Sequence, residues 1–360
     1  MKSYLNLKEE VWDKNICSGC GACVAVCPTE NIYFKEQSPV KFVCDECACI
    51  IAPTQNGEHP ISAEFCKVTL YDVPCGACYD ACPRTSEGKL SQIENGLDNI
   101  IKAVKAKSKL NTKGVQSGGA VTAILANAFD EGIIDGALVM MEDKWTMKPE
   151  SYLATSKEDV LKSAGSRYNW NAPILEALKE AVMDKKLNKL AIVGTPCVIN
   201  AVYQMMSSDN DLVIPFRNAI RFKISLFCSE TFDYSKMTEK LKSINVDPWE
   251  VRKMDIDKGK LIVELLDGTI HSFRLNEVED VVRSGCNVCT DFTGITADIS
   301  VGNVGSPEGY STVLIRNKWG KGLFDRAVIN GYLEAEEGVD IKPIESLAEK
   351  KARRKDGSEI

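Results

Sequence analysis

Apolar residues recur with helix and strand periods from about residue 95 onward, whereas the first 90 residues show little such periodicity. Ala120–Asp130 has the pattern of an amphipathic helix, and residues 136–141 form a short apolar run typical of a buried strand. Further strands are predicted at residues 189–193, 221–227, 298–301 and 312–315, and further helices at residues 100–110, 173–183 and 319–330. This alternation predicts an α/β domain built on a mixed sheet.

Turn residues and charges mark the remaining later segments. Residues 260–266 and 269–273 flank Asp267-Gly268, a pair that favours a hairpin turn. The charged run at residues 350–355 predicts a solvated helical tail in preference to a partner contact. We therefore expect a main domain over residues 95–345 and a charged tail over residues 346–360.

The first 90 residues are punctuated by Gly, Pro and Cys, and they contain too little periodic apolar sequence to build a sizeable core. A domain of this kind needs additional stabilisation, such as bound metal clusters. The polar stretch at residues 86–92 is predicted to be a linker, so residues 1–90 are expected to form a small separate domain.

Cysteine spacing is the strongest chemical signal, since eleven of the fifteen cysteines lie within the first 82 residues. Cys17, Cys20, Cys23 and Cys27, followed by Pro28, have the spacing of the bacterial ferredoxin run. In that run three thiolates hold one [4Fe–4S] cluster and the fourth binds its neighbour. Structural zinc sites separate their cysteine pairs by a dozen or more residues, so the spacing disfavours zinc. The chain is therefore predicted to transfer electrons.

A second cysteine run ends at Cys82-Pro83 and is irregular, because Asp72 stands where its first cysteine belongs. The crossover rule assigns the last cysteine of each run to the cluster of the other run. The second cluster then lacks one ligand, which Asp72 or the insertion between the runs must supply, and Cys66 is the insertion cysteine closest in sequence. We favour two clusters. Cys17, Cys20, Cys23 and Cys82 would bind the first, and Cys27, Cys75 and Cys78 would bind the second, with Cys66 as a candidate fourth ligand beside Asp72 and the Cys44-x2-Cys47 pair. The alternative is a separate metal site, or plain buried thiols, among Cys44, Cys47, Cys49 and Cys66.

Composition argues against several classes of function. Lys plus Arg number 44 against 51 for Asp plus Glu, a formal net charge of −7, which argues against nucleic acid binding. The odd cysteine total, with no N-terminal apolar signal stretch and no run of 18 apolar residues, predicts a protein of the reducing cytosol. Peripheral docking on a membrane complex stays compatible with this composition. His59 and His271 belong to no nucleophile pattern, so surface roles are expected for both.

Four later cysteines are scattered. Cys197 is predicted in a turn after the strand at 189–193, Cys228 ends the strand at 221–227, and Cys286 and Cys289 lie in a loop. Convergence at a sheet edge would create a further [4Fe–4S] site. Isolated cysteines are usually buried apolar residues. Spacing alone therefore supports a cluster site and plain buried cysteines equally.

Three glycine-containing loops expose backbone. Residues 114–122 precede the strongest helix, residues 164–168 include an arginine, and residues 302–309 follow a short strand. Bare amides at a helix N-terminus favour a phosphate or pyrophosphate, although turn chemistry alone explains each loop. Three such loops together favour a large cofactor, and the absence of G-x-G-x-x-G after a strand argues against a Rossmann site.

From about Gly114 to Ile344 the chain resembles the coenzyme F420 hydrogenase/dehydrogenase beta subunits. The ordered motifs that carry this resemblance include GVQSGGAVTAIL, AGSRY, GTPC, SLFCSE, SGCNVCTDF and ADISVGNVGSPEGYSTVLIR. The preceding segment is similar to the subtype that delivers F420 electrons to a respiratory membrane complex, and to the N-terminal portion of the F420-dependent sulfite reductase. The insertion between Cys44 and Cys75 departs from the simple double run of the family.

The resemblance implies an α+β/α/β fold class, with a small bacterial-ferredoxin-like domain followed by an α/β FAD-binding domain. It implies a third [4Fe–4S] cluster, bound by Cys197, Cys228, Cys286 and Cys289. It places Gly118, Gly119 and Thr122 at the FAD diphosphate, Ser166, Arg167 and Tyr168 nearby, and Asn303, Gly305 and Ser306 near the isoalloxazine. Lys258 and Lys260 would bind anionic cofactor groups, and a solvated hairpin explains these two lysines equally well.

The implied function is hydride exchange between coenzyme F420 and FAD, with single electrons passed through the clusters to a partner protein. The implied partners include a membrane dehydrogenase, a heterodisulfide-reductase-type complex and a soluble reductase. One alternative is a ferredoxin-dependent reductase of an organic substrate, as in the similar hydroxymethyl-chlorophyll reductase. Another is a non-catalytic adaptor that carries electrons or is stapled by zinc.

Overall fold

The computed structural model describes residues 1–34, 42–43, 50–51, 59–86, 97, 99–167 and 173–356. Its N-terminal segment consists of short elements around the cysteines. These are the helices α1 (Tyr4–Leu7), α2 (Ala22–Ala25), α3 (Lys67–Tyr71) and α4 (Ala77–Asp80), a π-helical turn at Lys8–Trp12, and the strands β1 (Ile32–Tyr33), β2 (Phe42–Val43), β3 (Ile50–Ile51) and β4 (Ile61–Ser62). β1 pairs with β4 and β2 with β3, both antiparallel. Of the predicted linker, only Ser86 lies within the described residues.

An eight-stranded mixed sheet forms the centre of the rest of the chain, which confirms the predicted mixed α/β architecture. The strands are β5 (Lys102–Ser108), β6 (Gly136–Glu142), β7 (Pro149–Ala154), β8 (Leu190–Gly194), β9 (Ile220–Leu226), β10 (Val251–Asp257), β11 (Lys260–Leu265), β12 (Ile270–Arg274), β13 (Ile299–Gly302), β14 (Ser311–Ile315) and β15 (Leu333–Glu336). The order in the large sheet is β15-β5-β14-β13-β9-β8-β6-β7. β10, β11 and β12 form a separate antiparallel sheet, and the predicted hairpin at Asp267-Gly268 connects β11 to β12.

Helices cover both faces of the large sheet. They are α5 (Ala120–Asp130), α6 (Lys157–Lys162), α7 (Ala177–Lys179), α8 (Pro196–Met206), α9 (Ile214–Ala219), α10 (Tyr234–Lys242), α11 (Lys318–Ile329) and α12 (Lys342–Ala352), with 3-10 turns at Ile174–Glu176, Pro248–Glu250, Leu275–Val281, Ser284–Cys286 and Arg353–Asp356 and a π-helical turn at Glu180–Asp184. Because successive strand residues point to opposite faces, Leu138 and Ile192 pack with α8, α9, α2 and α4, whereas Val139 and Val193 pack with α5 and α11. The N-terminal segment thus shares a core with one face of the sheet. In the described part of the chain no helix is both long and apolar enough to cross a membrane.

Two local predictions are wrong, and a third is wrong in part. Residues 102–108 form the strand β5 and not a helix, because Val104 and Ala106 are buried in alternation with lysines that lie at least partly in solvent. Cys197 lies in the first turn of α8 and not in an irregular turn, because Pro196 starts that helix at its first position. The charged tail is helical as predicted, but it is not solvated throughout, because Lys351 of α12 is only 4% exposed.

Five strands end at one edge of the large sheet. β6, β8, β9 and β13 are joined by parallel pairings. β5 runs in the same direction as β13, because both are antiparallel to β14. In open α/β sheets ligands bind outside the carboxyl ends of the strands, so this edge is where a cofactor site is expected.

A buried ion pair fastens β9 to the start of β13. Lys223 Nζ donates to Asp298 Oδ1 at 3.0 Å, and the side chains are 11% and 5% exposed. We expect Asp298→Ala to lower the free energy of unfolding by about 3–5 kcal/mol, because it leaves a buried ammonium unpaired. Urea unfolding of the anaerobic protein measures this loss. Asp325→Ala, which breaks an exposed pair with Lys321, is the matched control, and equal effects of the two variants would contradict the prediction.

Candidate functional site

Site I is a cavity between the two cysteine runs, lined also by Trp12, Val11 and Phe34. Burial raises the pKa of Cys23 well above its usual value, and the charges of the neighbouring thiols raise it further. The four thiols of site I are Cys17, Cys20, Cys23 and Cys82.

Site II is a second cavity, and its four thiols are Cys27, Cys66, Cys75 and Cys78. Burial raises the pKa of Cys78, and the charges of the other three thiols act in the same direction. Cys66 lies at the N-terminal end of α3, facing the cavity, whereas Asp72 is exposed at the other end of that helix. The structure therefore brings Cys66 and not Asp72 to the other three thiols. Cys44, Cys47 and Cys49, and with them most of the alternative metal site, lie outside the described residues.

The thiols of sites I and II surround cavities and do not converge on one point. Among the described residues, no three His, Cys, Asp or Glu side chains lie close enough to hold a single metal ion. A zinc ion would draw its sulfur ligands to about 2.3 Å from its centre. A [4Fe–4S] cube instead holds four thiolates at the corners of a larger body. The donor sets fit such a cube, and the binding of iron by these thiols stays a prediction.

Site III lies at the carboxyl edge of the sheet, where β8 and β9 end. Cys197 is held in the first turn of α8, with its Sγ 3.1 Å from Thr195 Oγ1. Burial, followed by the charge of Cys289, raises the pKa of Cys197 to about 12. Burial also raises the pKa of Cys228, to which the other thiols of the site contribute. The structure thus brings together the four scattered cysteines Cys197, Cys228, Cys286 and Cys289.

Two cations of the C-terminal helix region reach site III. Lys351 is buried, and its Nζ donates to the carbonyl oxygen of Cys228. Arg354 donates to the carbonyl oxygens of Ser229 at 3.0 Å and Cys286 at 3.1 Å. Burial alone would lower the pKa of Lys351, but the charges of the site III thiols raise it above its usual value. The end of α12 therefore holds both loops that carry site III thiols.

Arg84 reaches site III from the N-terminal segment, two residues after the last thiol of site I. Its guanidinium donates to the carbonyl oxygens of Val288 at 2.9 Å and Gly285 at 3.4 Å. Burial opposes ionisation of Cys289, but the positive charges of Lys351 and Arg84 outweigh it and lower the pKa of that thiol. Arg84 and Lys351 thus place positive charge beside the Cys289 thiol of site III.

Sites I and III are in direct backbone contact at Gly285. A Cβ atom at this position would lie 2.0 Å from the carbonyl oxygen of Cys17, a distance that no real Cβ contact shows. Sites I and II are also neighbours, because the charge of Cys78 acts on the pKa of Cys23. The three sites therefore form one continuous series.

The predicted diphosphate residues lie where β5 leads into α5. Gly119 precedes α5 with φ +69°, a left-handed conformation that suits glycine, and no side chain caps the first amides of this helix. Gly118 is buried, and its carbonyl oxygen accepts from the Ser108 N–H at 2.6 Å. In the preceding loop, Gln116 Nε2 and Thr112 Oγ1 are buried without a hydrogen-bond partner in the described chain. Thr122 follows on the first turn of α5. This donor set fits an anionic, polar cofactor group.

The remaining predicted cofactor residues divide between two places. Arg167 forms an ion pair with Glu142, which lies at the carboxyl end of β6. Arg167 Nε lies 3.3 Å from Glu142 Oε2, and the geometry at Nε is not that of a hydrogen bond. Ser166 adjoins Arg167, whereas Tyr168 lies outside the described residues. After β13, Asn303 is exposed, the Gly305 carbonyl oxygen accepts from Asp340 N–H at 2.9 Å, and Ser306 Oγ lies 2.6 Å from Thr312 Oγ1. These residues share the carboxyl edge of the sheet.

Lys258 and Lys260 lie elsewhere, at the exposed turn between β10 and β11 on the separate three-stranded sheet. Sequence reasoning missed the roles of Arg84, Lys351 and Arg354 at site III. Lys351 and Arg354 belong to a charge run that resembles an ordinary solvated tail, and Arg84 follows a cysteine run without further signal. Only tertiary contacts distinguish these three cations from surface charges.

Family models match most of the chain. Models of the N-terminal and C-terminal parts of the coenzyme F420 hydrogenase/dehydrogenase beta subunit match residues 103–179 and 187–341. A model of a 4Fe-4S binding domain matches residues 10–33, which contain the first cysteine run. The matched segments coincide with the α/β part and with the segment that carries the first thiols of sites I and II.

Named relatives agree with the family models. A subunit of the F(420)H(2) dehydrogenase of Methanosarcina mazei is 33% identical over 319 residues, 88% of this chain and 83% of that one. The coenzyme F420-dependent sulfite reductase of Methanocaldococcus jannaschii is 36% identical over 96% of this chain, which spans 50% of the length of that enzyme. A chain of the F420-reducing [NiFe] hydrogenase complex from Methanosarcina barkeri is structurally similar with a TM-score of 0.68 and 33% identity, over 72% of this chain and 91% of that one. The predicted family is confirmed, and the chain belongs to the coenzyme F420 hydrogenase/dehydrogenase beta subunits.

Proposed function

We propose that the chain is an F420-dependent oxidoreductase subunit, which exchanges a hydride between F420 and FAD and passes single electrons through three [4Fe–4S] clusters to a partner protein. The observation that supports this best is the continuous series of thiol sites. Site III adjoins the carboxyl edge of the sheet, site I touches site III at Gly285, and site II adjoins site I. The series leads from the predicted flavin edge into the ferredoxin-like segment.

Bound FAD would supply the conversion between two-electron hydride transfer and single-electron transfer. The chain itself contributes binding and orientation. The uncapped amides at the start of α5 are donors for the diphosphate, and the N-terminal end of a helix favours negative charge. Gln116 Nε2 and Thr112 Oγ1 are further polar atoms that a cofactor would satisfy.

Two aromatic rings pack beside Cys228 of site III. The ring centroids of Phe227 and Phe292 lie 5.4 Å apart. Phe227 precedes Cys228 in the sequence, and the carbonyl oxygen of Phe292 accepts a hydrogen bond from the Cys228 N–H. Exclusion of water strengthens the electrostatic interactions of buried thiolates with nearby cations. Phe227 and Phe292 pack beside site III, and the proposed hydride and electron transfers need no side chain as an acid or base.

Site II is the end of the series farthest from the sheet edge, and we place the contact with the electron partner there. Around it, Phe65, Leu70 and Tyr71 are exposed by 67%, 50% and 74%. Apolar side chains exposed together are typical of interaction surfaces. The named relatives support a protein complex as the partner, since the matched hydrogenase chain comes from such a complex.

Anaerobic purification followed by flavin, iron and sulfide assays, and then by an F420 assay with a viologen dye, tests the proposal. We expect one FAD and three clusters per chain, with F420 reduced by the reduced dye. Flavin and iron without F420 turnover would instead support the reductase of an organic substrate. A chain without flavin would support the adaptor and contradict the proposal.

A variant at Gln116 tests the flavin site separately. Gln116→Leu keeps the side-chain volume and removes a buried donor that lacks a protein partner. We expect FAD to bind about 10- to 100-fold more weakly, because a hydrogen bond to a charged group contributes about 1.5–3 kcal/mol. The unfolding free energy of the flavin-free protein should not fall. Fluorescence titration with FAD measures the affinity, and unchanged binding would contradict the assignment of this loop.

A further inference from the structure

Lys351 differs from the rest of its charge run. It is 4% exposed, whereas the adjacent Lys350 is exposed to solvent. Its Nζ donates to the carbonyl oxygen of Cys228, a thiol of site III. The family model of the C-terminal part ends at residue 341, so α12, on which Lys351 lies, follows the matched residues.

Arg354 fixes the position of Lys351. It lies within one helical turn of Lys351 and binds the carbonyl oxygens of Ser229 and Cys286, while its other nitrogen donates to Glu230 Oε2 at 2.8 Å. Arg354 is thus compensated by a carboxylate. Lys351 Nζ instead donates to the carbonyl oxygen of Cys228, which places its charge beside site III.

A buried ammonium is costly unless an opposite charge accompanies it. Four thiolates around an iron–sulfur cube supply such a charge, and each electron that enters the cube adds another negative charge. A fixed cation nearby therefore stabilises the reduced cube more than the oxidised one. Charge and hydrogen bonding around the sulfurs are established determinants of cluster potential.

We propose that Lys351, held by Arg354, raises the reduction potential of the [4Fe–4S] cluster at site III, so that this cluster accepts electrons from the flavin. The inference rests on the proposed function. With both groups bound, the flavin reduced by F420 would lose one electron to the cube, and the cube would pass the same electron to site I. No further reductant is required. The C-terminal helix thus sets the driving force of the first single-electron step.

Redox titrations of the full-length anaerobic holoprotein, followed by electron paramagnetic resonance, test this role. The signal lost in Cys289→Ala identifies site III. In Lys351→Gln we expect the ratio of reduced to oxidised site III cluster at a fixed potential to fall about tenfold, equivalent to about 59 mV for one electron. Lys351→Arg should restore the ratio, and Lys350→Gln, the matched exposed charge change, should leave it unaltered.

An unchanged site III titration in Lys351→Gln would overturn the inference while leaving the proposed function intact. Absence of a site III signal in the unmodified protein would overturn the proposed function and this inference with it. If Lys351→Gln loses the site III cluster, Lys351→Met, which keeps the apolar stem, is titrated in its place. Loss of the cluster in both variants would show a purely structural role and would also overturn the inference.

Discussion

Cys66→Ala is expected to remove about one third of the iron and sulfide of the holoprotein, because it deletes one of the four thiols that surround site II. Sites I and III share no thiol with site II, so their signals should persist. Chemical iron and sulfide assays, together with paramagnetic resonance of the reduced protein, measure the loss. The effect is large because a cluster is either held by its full set of ligands or becomes labile.

Two control variants make the Cys66 result specific. Asp72→Asn removes the rival ligand at an exposed position with φ +55°, a conformation that asparagine tolerates. Cys49→Ala removes an insertion cysteine outside the described residues. Both variants should retain the full iron content. Retention of iron in Cys66→Ala with loss in either control would show that the fourth ligand of site II comes from another residue.

Gly285→Ala is expected to separate site I from site III. The added Cβ would lie 2.0 Å from the Cys17 carbonyl oxygen, and both contacting groups are backbone that cannot rotate away. Overpacking of this kind costs about 1–3 kcal/mol or more. We expect a loss of stability of at least this size and slower electron transfer from F420 to the site I cluster. Anaerobic urea unfolding and rapid-mixing reduction by F420 measure the two effects.

Gly322→Ala is the matched control for the same change of residue. Gly322 lies on the exposed side of α11, and a Cβ there would meet no atom within 4 Å. Alanine in a helix interior is favoured over glycine by up to about 1 kcal/mol, so this variant should be neutral or slightly more stable. A Gly285→Ala protein as stable and as rapidly reduced as Gly322→Ala would show that the two sites do not depend on this contact.

Local patterns are sufficient for the elements whose signal lies within a few residues. The helix Ala120–Asp130, the buried strands at Leu190–Gly194 and Ile299–Gly302, and the hairpin after Leu265 follow from periodicity and turn chemistry. The pattern misleads at the strand Lys102–Ser108, because only two of its residues, Val104 and Ala106, are buried, and lysines occupy much of the rest. Its identity depends on pairing with β14 and β15, which are more than 200 residues away.

Cys197 and Lys351 show a similar limit at the candidate site. The sequence favours a turn at Pro196, although proline at the first position of a helix is common, and packing of α8 on the sheet decides for the helix. Lys351 cannot be separated from Lys350 by sequence, because burial of one lysine in a charged run depends on where the helix docks. Charge runs at chain ends are usually solvated. The sequence alone therefore favours a solvated Lys351, although the structure buries it.

The amino-acid sequence was enough to identify the family of the protein and to predict its chemistry. Ligand spacing within a single turn of backbone is a local property, so the ferredoxin run, the crossover pairing and the family motifs can be recognised without a structure. Three-dimensional contacts were needed to show that Cys66 faces the other thiols of site II, that four cysteines spread over 93 positions surround site III, and that Lys351, Arg354 and Arg84 meet there. The physical reason is that these contacts join parts of the chain far apart in sequence, where only sheet order and helix docking bring side chains together.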